Sequence, residues 1–88
     1  MELERDVETY LVRKVEELGG LCMKYGVDGW PDRIVLLSGG LTIWCELKRW
    51  NGTLAPLQEH RMFELMKRDQ IVRVVWSKQD VDDMLSEI

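Results

Sequence analysis

The sequence predicts a single-domain α/β fold, a four-stranded mixed sheet flanked by helices, with elements in the order α-β-β-β-α-β-α. Three observations carry this. Both ends of the chain, and the stretch after Pro56, place apolar residues at helical spacing. Between them, residues 21–25, 32–37, 41–48 and 71–76 are short runs of apolar and β-branched residues. The length, 88 residues, fits one domain covering 1–88, and 45% apolar with 32% charged residues is a globular composition.

Each element has a local reason. Leu3, Val7, Leu11, Val15 and Leu18 form one stripe, so residues 3–18 form a helix that Gly19-Gly20 terminates. Residues 21–25 form a short strand, followed by a glycine-rich turn over 26–29. Residues 32–37 and 41–48 form a hairpin around Ser38-Gly39-Gly40. Residues 49–55 are a loop, and Pro56 suits the first position of a helix, where its missing N–H costs nothing. Leu57, Met62, Leu65 and Met66 give that helix its apolar face. Residues 71–76 have few polar positions, which predicts a central strand covered on both faces. Ser77 with Asp80 is a capping-box pattern opening a last helix, in which Val81, Met84, Leu85 and Ile88 follow at helical spacing.

Composition excludes several classes. No apolar run approaches the ~18 residues needed to span a bilayer, and the charged start MELERDVETY has no signal-peptide core, so neither membrane insertion nor export is expected. Two cysteines and one histidine are too few for a structural zinc site of four N/S ligands. Cys22 and Cys45 are expected as buried free thiols in a reducing cytoplasm, with a disulfide as the alternative. His60 is an exposed helix residue without a role. The net charge of −4 argues, taken whole, against a sequence-independent nucleic-acid binder.

The chemistry concentrates in the hairpin. Side chains alternate along a strand, so Leu41, Ile43, Cys45 and Leu47 share an apolar face. Glu46 and Lys48 then emerge together on the other. With a three-residue loop at 38–40, Leu37 lies opposite Leu41, Val35 opposite Ile43, and Asp32 opposite Glu46. Opposed residues share a face, with Cβ atoms ~4.5–5.5 Å apart. A two-residue Gly39-Gly40 loop would instead turn Asp32 to the wrong face. Two converging carboxylates beside a lysine suit a hard divalent cation, Mg²⁺ or Mn²⁺, which lowers the pKa of a bound water and neutralises charge on a phosphoryl oxygen. The lysine can orient that water or stabilise developing charge. The plain alternative is a surface Glu46–Lys48 salt bridge.

Gly29-Trp30-Pro31-Asp32, then Glu46-Leu47-Lys48 with Glu46 fourteen residues after Asp32, then Gln58 on the next helix, resembles the PD-(D/E)xK nucleases. The helix-first order and the ending SKQDVDDML make the chain most similar to the VRR-NUC family, in its small standalone phage and bacterial form. The resemblance spans essentially the whole chain and rests on the order and spacing of short motifs. It implies a restriction-endonuclease-like core and a metal-dependent DNA endonuclease. It further implies a substrate of branched DNA such as a Holliday junction, a homodimer, and a cytoplasmic setting in a bacterial or phage-infected cell. It implies Asp32 and Glu46 as metal ligands, the Leu47 carbonyl as a further ligand and Lys48 as the catalytic lysine. Gln58 matches the family's helix glutamine, although a glutamine third in a helix also reaches back to the cap N–H. The family's first-helix glutamate matches Glu8, or else Glu4, and either can equally be a solvated acid near a helix N-terminus.

The resemblance also has departures and rivals. Ala55 stands where relatives often have Ser, and Asp69 where they often have Gly. Lys24, Arg33, Arg49, Trp50 and Arg61 are candidate DNA contacts. Trp50 either stacks on an unpaired base or forms a lid over the core, and Lys67 and Arg68 either bind phosphate or serve a helix C-terminus. The competing readings are a flap- or nick-directed nuclease of the same superfamily, and a non-catalytic acidic interaction module on the same fold. The charge is not uniform: residues 1–32, 33–73 and 74–88 carry −4, +3 and −3. The positive block coincides with the hairpin, loop and second helix, so the overall acidity does not exclude DNA.

Overall fold

A computed structural model describes all residues, 1–88. Its elements are α1 (Glu4–Glu17), β1 (Leu21–Lys24), β2 (Arg33–Leu37), β3 (Leu41–Leu47), α2 (Pro56–Met66), β4 (Ile71–Val75) and α3 (Lys78–Ser86), with a short 3₁₀ turn at Ser38–Gly40. The sheet order is β1-β2-β3-β4, antiparallel through the first three strands and parallel between β3 and β4. This is the α/β order expected from the sequence.

The register follows the three-residue turn. Leu37 pairs with Leu41, Val35 with Ile43 and Arg33 with Cys45. Gly39 and Gly40 make this possible with φ of 83° and 80°, in the left-handed region that residues with a Cβ avoid. One step further along β2, Asp32 falls opposite Glu46.

Helices α1 and α3 cover one face. Val7, Leu11 and Val15 pack with Val81, Met84 and Leu85 onto Val35, Ile43, Cys45, Leu47 and Val75, forming the main core. Burying such side chains stabilises the fold by about 1.5–3 kcal/mol each. Leu3 and Leu18, at the two ends of the expected stripe, are exposed and lie at the caps of α1 rather than inside it. Helix α2 lies on the opposite face over the β4 side, where Leu65 and Val72 are buried. Strand β4 was expected to be central and is an edge strand. Its apolar character reflects cover on both faces, by α3 and α2, not two strand neighbours. Arg73 is its exposed position.

Both cysteines are free, Cys45 buried and Cys22 partly so. Burial pushes both thiols upward, which makes them poor nucleophiles. No helix is long and apolar enough to cross a membrane.

Candidate active site

The site forms where β2 begins and β3 ends. Glu46 is the only charged residue in the buried set, at 3% exposure. It is buried because α2 starts directly above it: Gln58 Nε2 donates to Glu46 Oε2 at 2.9 Å. The Gln58 amide oxygen in turn accepts the Ala55 backbone N–H at 2.9 Å. One side chain thus makes the expected contact with the cap N–H and also reaches Glu46. Ala55 offers no side-chain oxygen, so Gln58 is what secures the entry to α2.

Lys48 Nζ lies 3.5 Å from the same Glu46 Oε2. Its backbone N–H donates to the Val75 carbonyl at 3.0 Å, the last rung between β3 and β4. Asp32 Oδ2 accepts the Leu47 N–H at 3.0 Å, which fixes its carboxylate across the end of β3. The Asp32 carbonyl accepts from Tyr25 N–H at 2.8 Å, extending the β1–β2 ladder to the site. Asp32, Glu46, Lys48 and Gln58 are therefore brought together, with the Leu47 peptide between them.

The electrostatics of this group are unbalanced. Burial, and then the neighbouring Asp32 charge, push the Glu46 carboxyl up to about 7, against the opposing pull of Lys48. Glu46 Oε1 is buried with no hydrogen-bond partner. A buried acceptor without a donor costs about 1–3 kcal/mol. A cation beside Asp32 and Glu46 would satisfy that oxygen and offset the repulsion. The donors are all oxygens, which suits a hard cation. No group of three or more His, Cys, Asp or Glu side chains converges anywhere. Two carboxylates leave further coordination positions to water and phosphate, the habit of Mg²⁺. The residues present fit such an ion.

Glu8 is not brought to this cluster. Its Oε2 accepts from Arg33 Nε at 2.8 Å, on the α1 side of the sheet. Arg33 also donates to the Cys22 carbonyl at 3.2 Å. In this structure the two candidates pair with each other: Arg33 is turned to Glu8 rather than outward, and Glu8 is its counter-ion. The alternation of β2 explains it, since Arg33 and Asp32 point to opposite faces. Glu4 is exposed in the first turn of α1.

Around the rim, Lys24 and Arg49 are exposed. Arg61 stacks over Trp30, 4.9 Å from the ring centroid, and Trp30 in turn leans on Trp44. Gly29, with φ 82°, lets this loop meet α2: a Cβ there would lie 2.6 Å from Leu57 Cγ. The Trp30–Arg61 stack was not expected; its signal is the glycine immediately before Trp30. Trp50 is 55% exposed and is no lid over the core. Lys67 and Arg68 reach Glu64, so they serve the end of α2.

No family model matches the chain. It is 34% identical over 91 residues to "Putative nuclease p44" of Acyrthosiphon pisum secondary endosymbiont phage 1, an alignment covering 97% of this chain and 94% of that one. A solved structure described as a VRR_NUC domain superposes with a TM-score of 0.85 at 33% identity, covering 94% of each chain. With the Asp32–Glu46–Lys48 arrangement carried on this fold, the chain belongs to the VRR-NUC family of nucleases.

Proposed function

We propose that the chain, acting as one domain, is a divalent-metal-dependent endonuclease that hydrolyses phosphodiester bonds in branched DNA, four-way junctions above all. The observation that carries this reading is the buried Glu46 carboxylate with its unpartnered oxygen, set beside Asp32 and Lys48. Asp32 and Glu46, with the Leu47 carbonyl, would hold Mg²⁺ or Mn²⁺. Bound there, the cation supplies an acidified water and charge neutralisation at the phosphoryl oxygen.

The chain's own groups do the rest. The Lys48 ammonium orients the attacking water and stabilises charge growing on the phosphate. The water oxygen bonds to phosphorus and gives up a proton to solvent, the P–O bond to the leaving sugar breaks, and the leaving oxygen takes up a proton, so the products are one phosphate end and one hydroxyl end. Gln58 positions the Glu46 carboxylate. Lys24, Arg49 and Arg61 approach the backbone phosphates, where arginine and lysine set register rather than sequence.

One chain carries one such site, and cutting two strands of a four-way junction symmetrically calls for a twofold homodimer. The sheet face left uncovered by α2 supports self-association: Leu21 and Met23 project from β1 at 60% and 51% exposure.

A panel of end-labelled junctions, flaps, nicked and continuous duplexes with Mg²⁺ or Mn²⁺ tests the proposal. Paired cuts in the junction are expected, and Asp32→Asn and Lys48→Ala should each slow them by roughly 100-fold or more. Preferential cutting of flaps or nicks would replace the junction reading. Unchanged cutting by either variant would remove the proposed site.

A further inference from the structure

Residues 49–52 form a tight turn directly after Lys48. Gly52 N–H donates to the Arg49 carbonyl at 2.7 Å, closing it. The Trp76 indole N–H donates to the Gly52 carbonyl at 2.9 Å, tying the turn to the end of β4. Trp50 occupies the second position, at the tip.

The other three tryptophans are engaged by the fold. Trp30 and Trp44 lean on each other, Trp44 meets Tyr25 edge-on and donates to Gln70, and Trp76 holds Gly52. Trp50 has no aromatic neighbour, no cation over its ring and no hydrogen bond to its indole, and it stands 55% exposed. Folding leaves this large apolar face in water on a turn held at both ends.

Trp50 lies two positions after Lys48, so their Cα atoms lie within about 7 Å. That equals about two nucleotides of one strand at ~3.4 Å each. A base next to the cleaved phosphate is therefore within reach of the indole. In continuous duplex both faces of that base are covered by its neighbours. At a branch, flap or nick the step is no longer held by two continuous strands, so one face opens at lower cost and base–aromatic stacking can fill it. Exposed Arg49, at the first position of the same turn, is placed to hold the adjoining phosphate.

We propose that Trp50 stacks on the unstacked base beside the cleaved phosphate and so selects DNA with interrupted base stacking over continuous duplex. The proposal rests on the nuclease reading of Asp32, Glu46 and Lys48 and adds to it the substrate feature that is recognised.

The test uses the full chain in Ca²⁺ with two DNAs, a four-way junction and a continuous duplex, each carrying 2-aminopurine at the same sequence position. Wild type should change 2-aminopurine emission at the branch. Trp50→Ala should abolish that change and lower the junction-over-duplex affinity ratio by roughly 5- to 150-fold, the range one stacked base supplies. Trp50→Phe should retain most of the ratio, while Trp50→Leu, apolar without a π-face, should behave like Ala. An unmoved ratio in Trp50→Ala, or equal weakening on both DNAs, would overturn the proposal. So would a changed sedimentation mass of the free Trp50→Ala protein, which would make this a contact between copies. A wild type that gives the emission change yet cuts no DNA in Mn²⁺ would overturn the nuclease reading and leave the stacking intact.

Discussion

Replacing Glu46 by Gln should make the metal-free protein more stable while destroying its activity. Glu46 ionises near 7 in the fold against an ordinary 4.5. The sign follows from linkage: the folded state holds the proton more tightly, so stability falls as pH rises from about 4.5 to about 7, and the full penalty remains above that. A shift of this size corresponds to about 3 kcal/mol at pH 8, shrinking to under about 1 kcal/mol at pH 5. Gln keeps the shape and an oxygen for the Gln58 amide but releases Lys48, which reaches water at 18% exposure. Allowing for that lost attraction, a gain of about 1–2 kcal/mol at pH 8 is expected, or a melting point higher by about 4–16 °C in a domain of this size. Thermal melts at pH 5, 6.5 and 8, with and without 5 mM Mn²⁺, read the effect. Mn²⁺ should raise the wild-type melting point by mass action and leave Glu46→Gln unmoved. A variant less stable than wild type at pH 8, or a gain equal at pH 5 and pH 8, would refute the electrostatic account.

Three other outcomes follow from particular contacts. Gly29→Ala combines a φ of 82° with a Cβ 2.6 Å from Leu57 Cγ, so denaturation in urea should show a loss of about 1–3 kcal/mol. Glu8→Gln breaks the pair with Arg33, where both side chains are largely shielded; it should cost about 1–2 kcal/mol yet slow cleavage far less than Asp32→Asn, measured on one junction substrate. Asp69→Gly relieves a left-handed residue with φ 60° after α2 and should gain about 0.5 kcal/mol in the same urea titration, with cleavage unchanged.

The hairpin was the most legible part of the chain, because alternation and a three-residue turn together determine which side chains meet. That reasoning reaches Asp32 and Glu46 without any knowledge of the third dimension. It does not reach Glu8. Its partner Arg33 looks like a surface cation in sequence, and only the packing of α1 against the opposite sheet face makes the two meet. Strand β4 misled for a related reason: valines report that a strand is covered above and below, and say nothing of how many strands lie beside it. An aromatic residue in a loop has no periodicity to say whether it turns inward, so the sequence alone leaves Trp50 open. The sequence allows Gln58 to be a cap or a site residue, and in the structure one amide touches both the cap N–H and Glu46.

That shared amide ties local motion to competence. First turns are where helices fray, and α2 begins at Ala55 without a side-chain cap of its own. Each time this turn opens, Gln58 leaves Glu46, and the carboxylate loses the donor that aims it. The breathing of one helical turn and the transient loosening of the Asp32–Glu46–Lys48 cluster are then a single event. Anything that holds Glu46 from the other side, a cation included, should also slow amide exchange in the opening turn of α2.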